Sequence, residues 1–230
     1  MTITPDTQLL FNIGSVPVNA TIGFTWLVMG LLTTASILIT RRLTIETRIS
    51  HWQNLLEVLV SAIRQQIGEI SDQGVDRYLP FIGTLFIFII TSNLLAIVPG
   101  YRPPTSSLST TSALALCVFI AVPLYGIANE GIAAYLSHYI KPTVLMLPFN
   151  LIGEFSRIIA LAVRLYGNIM SGTMIVAILI SLIPFFFPVL LQLLGLITGV
   201  IQAYIFAVLA MVYIASANTV HQHFTQQSGD

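Results

Sequence analysis

The stretch PFNLIGEFSRIIALAVRLYGNIMSGTMIVAILISLI, Pro148–Ile183, decides the class of this chain. It is apolar almost throughout, yet Arg164 stands near its middle, and no charged residue follows Arg164 until Asp230. A guanidinium keeps its proton at every accessible pH. Placing one at the centre of an apolar membrane helix costs at least ~2.5–3.5 kcal/mol even on lenient insertion scales. An arginine at that depth marks an ion or substrate pathway by default. The bland alternative, a side chain snorkelling to the interface, is opposed by helix-forming sequence extending at least 13 residues on either side of Arg164.

Length is the second signal. Pro148–Ile183 has 36 residues, ~54 Å as a helix. Pro188–Val220 has 33 residues, ~50 Å. The hydrocarbon layer is only ~30 Å thick, and neither segment is polar enough to project into water. The pair is expected to form a hairpin tilted far beyond the usual ~20°, turning at Pro184-Phe185-Phe186-Phe187-Pro188. Such a hairpin exposes a long flank within the membrane, and that suits a curved partner surface.

The whole chain has the same character. Of 230 residues, 56% are hydrophobic and 8% charged, with a net charge of zero and a mean hydropathy of +0.89. A soluble domain carries roughly a quarter charged residues. The class is therefore all-α and polytopic in a membrane, and nothing suggests nucleic acid as a partner. About five membrane-embedded helices are expected in one membrane domain, 1–230. Its parts are a first span and a surface helix (1–77), a middle hairpin (78–147), the tilted hairpin (148–220) and a tail (221–230). The first apolar run is too long for a cleaved signal peptide, and Met1–Asn19 lacks a basic start.

The first span reads about Val18–Thr40, the second about Tyr78–Val98, closed by Pro99-Gly100, and the third about Ser112–Tyr135. A turn-rich segment, Tyr101–Thr111, separates the last two. Trp52–Ile70 differs. Trp52, Leu55, Leu56, Leu59, Ile63, Ile67 and Ile70 follow helical spacing, while Glu57, Ser61, Arg64, Gln65 and Glu69 take the other face. That pattern predicts a helix lying on the membrane or against a partner. Arg41, Arg42, Arg48, Arg64, Arg77 and Lys141 fall on one side of this arrangement and Arg102 on the other. The positive-inside rule then puts the N-terminus outside and the C-terminus inside, in the cytoplasm for a bacterial inner membrane.

Polar residues inside the hairpin form two stripes. Arg157, Arg164, Asn168 and Ser171 lie within about 60° of one another on a helical wheel. Gln202 shares its stripe with Gly195, Thr198, Tyr213 and Ser216. Interhelical hydrogen bonding explains Asn168, Ser171, Thr198 and Ser216 as well as function does. Gln202 points to function, since a buried amide needs several partners and Arg164 can be one. Glu154 and Arg157, three apart near the inner end, read as an interfacial ion pair. Cys117 is alone, and His51, His138, His221 and His223 fall in loops or at helix ends. No metal site, cofactor site or catalytic set is expected.

The run Arg164–Gly172, RLYGNIMSG, resembles the signature of subunit a of the rotary F-type ATP synthases, R-L-[FY]-G-N-x-x-[AS]-G. NLLAIVPG, Asn93–Gly100, is similar to the close of that family's second span, and IQAYIFAVLAMVYIASA, Ile201–Ala217, to its final helix. The resemblance implies the stator half of an ion turbine. Arg164 would face the carboxylate on each subunit of a rotating c-ring, with Asn168 and Gln202 beside the ion path and the peripheral-stalk subunit b as a further partner. Many members carry a carboxylate where this chain has Thr173, His or an acid where it has Gly195, and Pro where it has Ile158. An outer path here would run through water held by Thr173, Thr198 and Tyr213, carrying H+ or Na+. The short N-terminus and the SGT variant are similar to a divergent, Na+-associated bacterial branch. Two other readings are a secondary transporter or permease binding an anionic substrate on Arg164, and a purely structural membrane subunit. The first predicts internal repeats, which the sequence lacks, and the second leaves Arg164 without a purpose.

Overall fold

The computed structural model describes residues 9–13, 16–41, 51–70, 74–98, 100–132, 146–182 and 187–227. Among them are six helices: α1 Ala20–Thr40, α2 His51–Ile70, α3 Val75–Leu94, α4 Leu108–Glu130, α5 Met146–Leu182 and α6 Phe187–Gln227. All but α2 are long and apolar enough to cross a membrane. The all-α polytopic class is the observed one, with a short antiparallel hairpin added ahead of α1. In it β1, Leu9–Ile13, pairs with β2, Val16–Asn19, setting Ile13 opposite Val16.

The ends of the elements differ from expectation for local reasons. α3 starts at Val75, after Gly74 at φ 78°, and closes in a 3-10 turn, Leu95–Ile97. α4 begins at Leu108 and stops at Glu130, where the expected span ran from about Ser112 to Tyr135. At its start the Thr111 N–H and hydroxyl both donate to the Ser107 carbonyl, at 3.1 and 3.2 Å. At its end Gly131 takes φ 85°, a region that only glycine enters freely. α6 continues to Gln227 through most of the expected tail and carries His221 and His223 in the helix. Pro184, Phe185 and Phe186 of the expected turn lie outside the described residues, as do Arg42, Arg48, Pro99, His138 and Lys141.

α2 is amphipathic as its spacing predicts. Ile67 is fully buried, and Leu59, Ile63 and Ile70 line an apolar cavity of about 200 Å³ shared with Ile82 and Phe86 of α3 and Ala207 and Met211 of α6. Glu57, Ser61, Arg64, Gln65 and Glu69 are exposed. Leu55, at the outer edge of the apolar face, is 58% exposed. Two polar contacts fix the helix: Arg64 pairs with Asp76 at 2.8 Å, and Tyr204 Oη donates to Gln66 Oε1 at 2.8 Å.

The basic residues sort to opposite ends. Phe24 packs edge-on against Tyr101, centroids 5.1 Å apart, so α1 begins at the Arg102 end of the molecule. Arg41 closes α1 at the other end. Arg64 and Arg77 lie there too, through the ion pair with Asp76 and a hydrogen bond from Arg77 to Asn129 near the end of α4.

The core joins α3, α4, α5 and α6 around Ile82, Ile89, Val118, Val122, Leu161, Leu165, Phe206 and Met211. Helices in lipid gain little from the hydrophobic effect, so contact depends on close packing of small residues. α6 supplies them: Gly199, Ala203, Ala207, Ala210 and Ala215 are all buried on it. The turn-rich segment is also part of the core, since Pro103–Ser107 is buried whole and contains a 3-10 turn, Pro104–Ser106.

Candidate functional site on the α5–α6 hairpin

The site follows from two helices of unusual length lying side by side. Arg164 sits midway along the 37 residues of α5. Its side chain is exposed and forms neither a hydrogen bond nor an ion pair with any described residue. One turn further on, Asn168 is half-buried and donates Nδ2–H to Gln202 Oε1 on α6 at 3.4 Å. Gln202 is 4% exposed. The partner of the buried amide is thus Asn168, whereas the sequence had suggested Arg164. The bond turns one carboxamide toward the other and leaves the neighbouring guanidinium unengaged among the described residues.

Arg157, on the same stripe, is occupied. Its Nη1 lies 3.1 Å from Glu154 Oε1, and its guanidinium carbon is 5.5 Å from the ring centroid of Tyr213 on α6. The expected ion pair forms, and Tyr213 joins it as a cation–π partner, which sets Tyr213 on the far side of Gln202 from Thr173 and Thr198 and so off the outer path expected for it.

The four serine and threonine hydroxyls singled out by sequence all donate to their own helix. Ser171 bonds the Asn168 carbonyl at 3.0 Å, Thr173 that of Met170 at 2.9 Å, Thr198 that of Leu194 at 2.6 Å and Ser216 that of Tyr213 at 3.0 Å. A donating hydroxyl still offers its lone pairs, so each oxygen can accept from water or face a cation. Thr173 and Gly195 are exposed, and nothing lies within 4 Å of a Cβ added at Gly195. Among the described residues no three His, Cys, Asp or Glu gather as a metal site.

A third amide belongs to this region, and the sequence reading named it only as the head of the NLLAIVPG motif. Asn93, near the end of α3, is 5% exposed. It donates to the Gly199 carbonyl of α6 at 2.9 Å and accepts from the Thr105 hydroxyl at 2.7 Å. A Cβ at Gly199 would meet the Asn93 Cβ at 3.0 Å. α3 and α6 therefore touch backbone to side chain three residues from Gln202. Its signal was an amide in an otherwise apolar span, which needs a partner once buried. Beside it, Ser92 Oγ and Tyr101 Oη are buried near each other, with no other hydrogen-bond partner among the described residues. Burial pushes the Tyr101 hydroxyl up to about 12, so it stays neutral at any working pH.

These features define a class of protein: a polytopic membrane protein whose overlong hairpin presents one unpaired cation on its flank, backed by a lattice of buried amides. A family model described as ATP synthase A chain matches residues 22–215. "ATP synthase subunit a 2" of Acaryochloris marina is 62% identical over 230 residues, covering 100% of this chain and 98% of the relative. "ATP synthase subunit a 1" of Crocosphaera subtropica is 58% identical over 225 residues, 98% of each chain. "ATP synthase subunit a 1" of Chlorobaculum parvum is 55% identical over 225 residues, 98% of this chain and 100% of the relative. The chain belongs to the ATP synthase A chain family.

Proposed function

We propose that this chain is the non-catalytic stator subunit of a rotary F-type ATP synthase. It carries H+ or Na+ through two offset half-channels to and from the carboxylate on a ring of small hairpin subunits. The exposed, unpartnered guanidinium of Arg164, on a helix too long and too apolar to leave the membrane, carries this reading. A cation with no counter-charge among the described residues calls for one from a partner, and a ring carboxylate supplies it. The fixed charge lowers that carboxylate's affinity for its ion as it passes. It also bars a direct leak between the two half-channels, because arginine cannot surrender its proton as lysine can. The driving force is ~2.3 kcal/mol per charge per 100 mV.

Asn168 and Gln202 hold the two hairpin helices in register beside Arg164. Thr173 and Thr198 offer hydroxyl oxygens to water or Na+ on the outer path, and Tyr213 and Ser216 lie toward the inner end with the Glu154–Arg157 pair. The N-terminus faces outward and the C-terminus the cytoplasm of a bacterial inner membrane. Subunit b of the peripheral stalk anchors the chain against rotation.

The test is substitution of Arg164 in the assembled complex. Arg164→Ala is expected to abolish ATP-driven ion pumping without preventing assembly. Arg164→Lys should fail as well, since both the planar fork and the permanent charge are lost. Pumping by either variant at near wild-type rate, in vesicles, would overturn the role. Co-purification with a ring of small hairpin proteins separates this reading from a permease.

A further inference from the structure

The groove between α3 and α4 carries a second cation that the ion path does not use. Arg77 is the third residue of α3, at the end of the span Val75–Ile97. Its Nη1 donates to Asn129 Oδ1, Asn129 Nδ2 donates to Tyr78 Oη at 2.8 Å, and Tyr125 Oη donates to the Arg77 carbonyl at 3.5 Å. The guanidinium is thus held in place by uncharged groups. The neighbouring Arg64 and Asp76 neutralise each other at 2.8 Å. Among the described side chains no carboxylate pairs with Arg77.

From Arg77 an open groove of about 450 Å³ runs along α3 and α4, lined by Phe81, Cys117, Ile120, Leu124 and Tyr125. Leu124 is 61% and Ile120 50% exposed. Cys117, the chain's only cysteine, is exposed in it. From Asn129 back to Cys117 is 12 residues along α4, hence ~18 Å. Half of the ~30 Å hydrocarbon layer is ~15 Å. A cation at the membrane boundary above an apolar trough one leaflet deep matches one kind of molecule in charge and in length.

We infer that the α3–α4 flank binds one anionic phospholipid of the bilayer, its phosphate on Arg77 and an acyl chain along Phe81, Leu124 and Cys117. Guanidinium and phosphate match in charge and in forked geometry. Basic sites between spanning helices on the cytoplasmic side are suited to anionic headgroups. The inference rests on the chain spanning a membrane and is independent of what Arg164 does.

Cys117 reports occupancy without any engineered label. The assembled complex, stripped of lipid in neutral detergent, is treated with N-ethylmaleimide, and alkylation of the Cys117 peptide is followed by mass spectrometry. Dioleoylphosphatidylglycerol is expected to slow alkylation about fivefold more effectively than dioleoylphosphatidylcholine, the effect of one basic residue at a membrane surface. Arg77→Gln should erase that difference and Arg77→Lys should retain it. Glu130, the last residue of α4, is the acidic residue nearest Asn129 in sequence, and Glu130→Gln should widen the difference. Equal protection by the two lipids, or an unchanged preference in Arg77→Gln, overturns the site. So does a Cys117 that resists alkylation before any lipid is added, because a protein neighbour then fills the groove.

Discussion

Gly199 and Asn93 show how much the arrangement depends on a single missing methyl group. With 3.0 Å between the Asn93 Cβ and the position of a Cβ on Gly199, and the Asn93 amide bonded to the Gly199 carbonyl, alanine at 199 requires Asn93 or α6 to give by a few tenths of an ångström. Overpacking of this kind costs about 1–3 kcal/mol. Asn93→Ala removes two hydrogen bonds but leaves the helices in contact, at ~0.6–2 kcal/mol by membrane precedent. Gly199→Ala is therefore expected to lower the thermal dissociation temperature of the complex at least as much as Asn93→Ala. A Gly199→Ala complex as stable as wild type would show that the close contact does not constrain α6. Such pairings were not legible in the sequence. Arg164 announced itself by depth alone, but the bonds Asn168–Gln202 and Asn93–Gly199 join residues 34 and 106 positions apart, and helical spacing carries no information across helices.

At the level of elements, periodicity and length identified the five apolar helices and the amphipathic α2, because a long run of one pattern has no competing local structure. Boundaries were less legible. Serine and threonine near residues 105–111 suggest a surface turn, yet here they bond to one another and to Asn93, so the segment can be buried and α4 can begin early. The β1–β2 hairpin did have a signal, two short runs separated by Gly14-Ser15, which the search for spans passed over. α2 rests on apolar contacts and on the Tyr204–Gln66 bond at 2.8 Å. Tyr204→Phe should weaken its docking by about 0.5–1.5 kcal/mol. The check is hydrogen exchange across α2, expected to speed up while α3 and α6 keep their protection. Unchanged exchange in α2 would assign the docking to the apolar contacts of Ile63 and Ile67 and to the Arg64–Asp76 pair.

Across the whole molecule, the proposed outer path can be given a height. α5 and α6 are paired at Asn168 and Gln202. Thr173 lies five residues beyond that level and Gly195 seven residues beyond it on the antiparallel helix, so the two positions differ by only ~3 Å in depth. Both are exposed, and Gly195 has room for a side chain. With no titratable group at either position, transport through this subunit is expected to lack a sharp pH optimum of its own. Thr173→Glu with Gly195→His should add a titrating step between about pH 5 and 8, where histidine and a carboxyl raised by burial change charge. The glutamate alone should transport worse than the pair, since it lacks a partner to share its proton. Ion flux against pH in vesicles at fixed potential measures this. An unchanged profile in the double variant would place the path elsewhere.

The coupling of Arg157 to both Glu154 and Tyr213 has a consequence for motion. Two arginines seven residues apart on one stripe stand ~10.5 Å apart along the axis, and if a ring carboxylate passes this flank as proposed, two bare charges there would give it two resting places. Glu154 at 3.1 Å cancels one of them and the Tyr213 ring shields its face. On the proposed rotary reading the flank then offers a single electrostatic notch per ring subunit, so that each step would have one stop and successive steps would be alike. Glu154→Gln would expose the second notch, and single-molecule rotation would read it as an extra pause between the normal dwells.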